Sequence, residues 1–251
     1  MYVQVFDRPR PKVIVVTHER SGTHFLMKAL SYGFGYVSAP WIDFDYSPVN
    51  INFYSSSAIA GFFKQFQPYN VASLFKSHHN YAFFQAVIEE ILREFVVFYI
   101  YRDPRDVMVS YWKMLGHWPW HEGPKTATCR EFIRAEPSGQ MMRYQYFQEK
   151  SVLDRWRSHV DGWTQSVPAG IRHRLCYVRF EDLHGHYERT LDGIGGFLGE
   201  KPVSYRRPSP RENVVFPSEG KVGAHREHFD QGDLDLFREV AGGTMARLGY
   251  L

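Results

Sequence analysis

Short apolar runs alternate along this chain with stretches of helical spacing. Val13 to Thr17 is a β-branched run bounded by Pro11 and Gly22, the pattern of a buried strand. Thr23 to Leu30 follows with helical spacing, and Ser21 stands where an N-cap belongs. Residues 33 to 70 are rich in Gly, Pro, Ser, Asn and aromatics, which predicts a long irregular connection with one helix near Ser57 to Phe66. Val71 to Lys76 predicts a second strand and Tyr81 to Glu94 a helix. Phe95 to Tyr101 is the strongest strand signal, continuously apolar as in a parallel sheet covered on both faces.

Asp103 as N-cap, Pro104 at the first helical position and Asp106 in the first turn predict a helix from Pro104 to about Met114. Glycines, prolines and tryptophans make residues 115 to 140 a loop region. Beyond it the spacing predicts a helix over Tyr144 to Trp163, a strand over Leu175 to Val178 and a helix over Tyr187 to Leu198 ended by Gly199. Residues 200 to 227 read as irregular, and Leu234 to Leu248 as a final helix. Strands alternating with helices predict an α/β fold of three layers, a central parallel sheet with helices on both faces. No repeat or linker divides the chain, so one domain over residues 1–251 is expected.

Composition narrows the function classes. Hydrophobic residues make up 44% of the 251, enough for a sizeable core. A net charge of +3 is too small to argue for a nucleic-acid partner, yet it permits a local basic pocket for a small anion. The only two cysteines, Cys129 and Cys176, match no zinc spacing and cannot staple a domain of this size. Reduced thiols, no secretory leader and no run of about 18 apolar residues point to a cytoplasmic setting without a transmembrane segment. Aromatic content of 17% fits either a well-packed core or an aromatic-lined pocket.

Five segments carry candidate chemistry. The first, His18 to His24, lies between a predicted strand and helix. Its backbone N–H groups, the helix N-terminus and Arg20 would bind an anion, and Gly22 would permit close approach. It lacks the Gly-Lys-Ser/Thr of a nucleotide-kinase P-loop. The second, Lys76-Ser77-His78-His79, follows the second strand. His78 could serve there as general base and Lys76 could stabilise charge on a transferring group. The third runs from Arg102 to Tyr111. It places an Arg at a strand end and Ser110 two turns into the next helix, while Arg105 and Asp106 read as a solvated first turn. Tyr177 to Leu183, a strand entering an acidic turn, is the fourth. Glu219 to Gly223, a glycine-flanked loop with Lys221, is the fifth.

Taken together and in this order, these segments resemble the sulfotransferases that use 3′-phosphoadenosine 5′-phosphosulfate (PAPS). The resemblance spans about residues 13 to 229 and is most specific over Arg102 to Tyr111. It implies a P-loop-like fold and a loop Arg20-Ser21-Gly22-Thr23-His24-Phe25 that grips the 5′-phosphosulfate. It further implies that His78 is the base, that Arg102 and Ser110 hold the 3′-phosphate, that Phe180 belongs to the donor site, and that Gly220 and Lys221 sit in a late loop over it. Glu19 stands where the family has Pro and must point away from the anion. Phe25 replaces a Trp that would stack on adenine, and Phe180 replaces a Tyr. Ser218 and Glu219 replace an Arg-Lys pair, for which Lys221 or Arg211 would have to compensate.

The mechanism implied is in-line sulfuryl transfer to an acceptor hydroxyl or amine, leaving 3′-phosphoadenosine 5′-phosphate (PAP), with no metal required. His24 and His79 flank the centre and could share the base's role. Trp41, Trp118, Trp120 and Tyr144 are candidates to line the acceptor's entry, the acceptor being a small molecule, carbohydrate or lipid. Two rival readings are a P-loop nucleotide kinase and a catalytically inactive nucleotide-binding protein of the same fold.

Overall fold

A computed structural model describes residues 4–43, 54–118, 120, 122–145, 147–209 and 220–251. Five strands form one wholly parallel sheet: β1 (Lys12–Val16), β2 (Val37–Asp43), β3 (Ser73–Ser77), β4 (Phe95–Tyr101) and β5 (Leu175–Arg179). The spatial order is β2-β3-β1-β4-β5, so the chain leaves β1 toward β3 on one side and β4 on the other. Such a reversal opens a crevice at the carboxyl ends of the strands, where α/β folds place ligands.

Alternation along the strands divides the core into two layers. Ile14, Val16, Phe75, Phe95, Val97 and Tyr99 face one side, packing against Phe63 and Trp163. Val13, Val15, Leu74, Val96, Phe98 and Ile100 face the other. That second face is covered by α1 (Thr23–Phe34), through Leu26, Met27 and Leu30, and by a late helix through Leu191 and Ile194. The first face is covered by α2 (Ser56–Lys64), α3 (Tyr81–Phe84) and α4 (Ile88–Ile91). Helices α5 (Pro104–His117), α6 (Cys129–Phe132) and α7 (Val152–Gln165) build a third cluster around Trp156. The chain finishes with α8 (Phe180–Gly185), α9 (Tyr187–Leu198) and α10 (Gln231–Arg247), the last packing Phe237 and Met245 into that third cluster. No helix of the described residues is long and apolar enough to cross a membrane.

Several elements differ from the sequence expectation. β2 arises inside the stretch expected to be irregular. It is an edge strand, where Pro40 lacks a ladder donor at no cost, and its pairing with β3 shifts register between Val37 and Ile42. The helix expected over Tyr81 to Glu94 is split into α3 and α4 at Val87, whose φ of −131° and ψ of 0° are not helical. The helix expected from Tyr144 starts only at Val152, because the Ser151 hydroxyl caps it by accepting from Asp154 N at 3.1 Å. Gly139–Tyr144 forms a separate 3₁₀ turn. Asp230 and Asp233 form a capping box that begins α10 three residues before the apolar spacing does. Cys129 is buried, Cys176 is half-buried, and both are free.

Phe75 is fully buried, with ring centroids of Phe66 and Phe95 at 4.8 and 5.1 Å. Phe75→Ala should therefore cost about 3–5 kcal/mol, read as a lower urea midpoint in equilibrium unfolding. A loss below about 1 kcal/mol would contradict this packing.

Candidate active site

The loop from Thr17 to Gly22 joins β1 to α1 in the crevice. Thr17 N donates to Ser77 O at 3.2 Å and Ser21 N to His18 O at 3.3 Å, which folds the loop back on itself. Arg20 and Gly22 take left-handed backbone conformations, with φ of 66° and 108°. Gly22 is required twice, since a Cβ there would also lie 2.5 Å from Phe180 Cδ2. Gly22, not Ser21, is the N-cap of α1, and no side chain caps the helix. The first N–H groups of α1 are thus not taken by a capping side chain, as an anion site requires. Ser21 Oγ is buried with no hydrogen-bond partner among the described residues.

A cavity of about 570 Å³ opens over this loop. Arg20, Gly22, Thr23, His24 and Phe25 line it, with Lys76 and His78 from the end of β3, Arg102 from the end of β4, and Phe180 and Gly220. Ser21, Ser110 and Lys221 lie outside the lining. Ser110 stands behind Arg20 and accepts from its Nε at 3.1 Å. Lys221 offers its backbone to the site, while its ammonium pairs with Glu227 at 2.5 Å. Arg211, Ser218 and Glu219 lie outside the described residues.

Arg102 is only 3% exposed and touches three segments. Its Nη2 donates to Lys221 O at 2.8 Å and its Nη1 to Arg20 O at 3.5 Å, and its guanidinium lies 4.4 Å from the Phe180 ring centre. Nε has no partner among the described residues. Asp106, expected in a solvated turn, is buried instead. It lies 3.8 Å from Arg102 Nη2 and accepts from Gly223 N at 2.7 Å, from His225 N at 3.0 Å and from His225 Nδ1 at 2.8 Å. The inner face of α5 thus holds the late glycine loop. Arg105, also expected in solvent, is partly covered and forks onto Asp103 at 2.6 Å.

Burial and the charge of Arg102 push Arg20 down to about 10, so it still carries its proton at neutral pH. Burial and nearby Lys76 push His24 down to about 3 and leave it neutral. His78 Nδ1 lies 2.8 Å from Thr17 O, at the start of the same loop. A carbonyl only accepts, so Nδ1 carries the hydrogen and neutral His78 keeps an acceptor lone pair on Nε2. His159 Nε2 donates to His78 O at 3.1 Å, fixing the residue from behind. Lys76 Nζ lies 3.3 Å from Asp43 Oδ2, which also accepts from Trp41 Nε1 at 2.9 Å. His79, considered as a second base, is buried away from the cavity.

Trp41, Trp118, Trp120 and Tyr144 all line the cavity, as expected of the acceptor side. Sequence reading missed Lys28, Asp43, His184 and Arg207 in the lining, and also the Arg143–Glu122 pair at 2.9 Å. Lys28 follows His24 by one helical turn and could have been found from that spacing. Asp43 fell in a stretch expected to have no strand. Glu19 does line the cavity, but its carboxylate is held by Arg155 through bonds of 2.9 and 2.7 Å.

Two outcomes follow from this geometry. Gly22→Ala should lower stability by about 1–3 kcal/mol in denaturant unfolding, and an unchanged midpoint would contradict the strained turn. His18 is fully buried, and burial pushes it from 6.5 down to about 4. The unfolded chain takes up this proton below 6.5, whereas the folded protein resists until about 4. Its stabilising contribution is complete above that upper value and is lost as pH falls through the window, at about 1.4 kcal/mol per pH unit. Thermal unfolding at pH 7 and pH 5 should show a lower melting temperature at pH 5, and equal or higher stability at pH 5 would contradict the assignment.

Comparison with known proteins agrees with this architecture. A sulfotransferase domain family model matches residues 10–249. The human protein sulfotransferase 2A1 is 26% identical over 193 residues, covering 75% of this chain and 59% of that relative. Its counterpart from Macaca fascicularis is 27% identical over 104 residues, 41% of this chain and 31% of the relative. The chain thus spans less than two thirds of these relatives' length. Mouse sulfotransferase SULT7A1, solved with PAP, superposes with a TM-score of 0.66 at 16% identity over 96% of this chain and 86% of that one. Retinol dehydratase, solved with androsterone and PAP, gives 0.61 at 16% identity over 96% and 83%. Their fold is this fold, and with the family model covering nearly the whole length, the chain belongs to the sulfotransferase domain family.

Proposed function

We propose that this chain is a PAPS-dependent sulfotransferase that moves a sulfuryl group to the hydroxyl or amine of a small acceptor and releases PAP. The observation that carries the reading is one cavity lined by both an anion site and an oriented imidazole, the imidazole being bonded to Thr17 at the start of the loop that carries Arg20. The anion site combines the uncapped N-terminus of α1 with Arg20, and Arg102 adds a second buried cation. The base is His78, whose Nδ1 is committed to Thr17 O.

The residues present fit the donor. Ser21 Oγ and Arg102 Nε are buried without partners among the described residues, and two polar groups of that kind suit phosphate oxygens. Gly22 leaves a cradle that a Cβ would fill. When bound, the donor supplies a sulfur–oxygen bond already activated by its phosphate leaving group. Arg20 and the α1 N-terminus then hold the 5′-phosphosulfate, Arg102 and Ser110 the 3′-phosphate, and Phe25 and Phe180 flank the adenine. Gly220 and the backbone at Lys221 border that end. His78 Nε2 accepts the acceptor's proton, while Lys76 and Arg20 neutralise charge on the leaving oxygen. These cations take the part that Mg²⁺ takes in kinases, so we expect turnover in EDTA.

Trp41, Trp118, Trp120 and Tyr144 give the other half of the cavity an aromatic wall. An apolar alcohol suits it, and the androsterone bound by retinol dehydratase lends support. The absence of Gly-Lys-Ser/Thr at residues 17–24 disfavours a nucleotide kinase.

His78→Ala should lower PAP release from PAPS and a panel of phenols, sterols and sugars by about 10²–10⁴-fold. PAP affinity should change little. Full turnover in this variant would remove His78 from its role. A wild type that binds PAP but transfers to no acceptor would favour the inactive nucleotide-binding reading.

A further inference from the structure

A carboxylate in the wall of an anion site is a problem that the proposed donor site has to solve. Glu19 is one residue from Arg20, only 7% exposed, and part of the cavity lining. Left bare, it would repel both the phosphosulfate and the 3′-phosphate. It is not bare. Arg155 reaches it from α7, 2% exposed and outside the cavity lining. Arg155 Nη1 donates to Glu19 Oε2 at 2.9 Å and Nη2 to Oε1 at 2.7 Å. Tyr111 on α5 adds a third donor to Oε1 at 3.1 Å. His18 Nδ1 lies 3.0 Å from Glu19 O, so that nitrogen carries the hydrogen, and its Nε2 accepts from Arg155 Nη1 at 3.0 Å. Both carboxylate oxygens are thereby drawn toward α5 and α7.

We propose that Arg155 is a positioning residue for donor binding: from behind the loop it cancels the charge of Glu19, so that the wall of the cavity accepts a polyanion. The inference rests on the proposed donor site. Arg155 touches neither donor nor acceptor in it and acts only through Glu19. The groups facing Glu19 are His18 on its own loop, Arg155 and His159 on α7, Tyr111 on α5 and His78 after β3, with Arg143 further off. Burial alone would push the Glu19 carboxyl up. The Arg155 guanidinium opposes this most strongly and the carboxyl is held well below the usual carboxylate range, so it is charged whenever the site operates.

A purely structural pair and a charge-cancelling pair differ in what rescues them. The test is calorimetric titration of PAP into wild type, Arg155→Met, Glu19→Gln and the double variant, each checked by thermal unfolding. Arg155→Met should weaken PAP binding by roughly tenfold or more, because it leaves an unpaired carboxylate beside the phosphates. Adding Glu19→Gln should bring affinity back to within about threefold of wild type. Glu19→Gln alone should bind PAP at least as tightly as wild type. The inference is overturned if Arg155→Met binds PAP normally, or if the folded double variant binds as weakly as Arg155→Met. If Arg155→Met does not fold, Glu19→Gln decides alone, and a loss of about tenfold there would overturn the inference. A wild type that binds no PAP would remove the donor site itself, and the inference with it.

Discussion

A guanidinium buried at the end of β4 needs partners, and Arg102 finds them in three separate segments. It donates to the carbonyl of Arg20 in the first loop and to that of Lys221 in the last, and lies over the Phe180 ring at the start of α8. Removing this side chain would leave two carbonyls short of a donor and Asp106 without its nearest cation. Asp106 extends the same connection by accepting from Gly223 and His225. The sheet supplies the frame: β1 and β4 are neighbours, so the loop after one and the Arg after the other reach the same crevice.

Electrostatics in the cavity follow from burial. Cations gather around one space, which would repel one another without counter-charge. Burial keeps His24 neutral, so the positive charge rests on lysine and arginine side chains of the lining, among them Arg20, Lys28, Lys76, Arg102 and Arg207, and not on that imidazole. Carboxylates are held in pairs: Asp43 on Lys76, Glu122 on Arg143, Glu19 on Arg155. The imidazole at the centre is oriented by a backbone carbonyl instead of a carboxylate.

Much of this was legible in the sequence because it is written in short local signals. The apolar run of β4, the Asp-Pro start of α5 and Gly199 after α9 each act within a few residues. The loop at Gly22, the position of His78 and the Arg102 segment were legible for the same reason. What was not legible depends on partners far along the chain. Asp106 has the composition of an exposed first turn and is buried only because a loop 117 residues later needs its oxygens. Arg155 lies in an amphipathic helix like any other, and nothing near it announces Glu19, 136 residues away. β2 is an edge strand with a proline, so its apolar pattern is weak, and Asp43 was lost with it.

A cavity built for PAP must distinguish a nucleotide with a 3′-phosphate from one without it. Calorimetric titration with PAP and with adenosine 5′-phosphate, both in EDTA, measures this in one experiment. The role proposed for Arg102, whose Nε is buried without a partner among the described residues, predicts that PAP binds and that the mononucleotide binds at least about tenfold more weakly. Equal affinity for the two, or no binding of either, would contradict the assignment of this site.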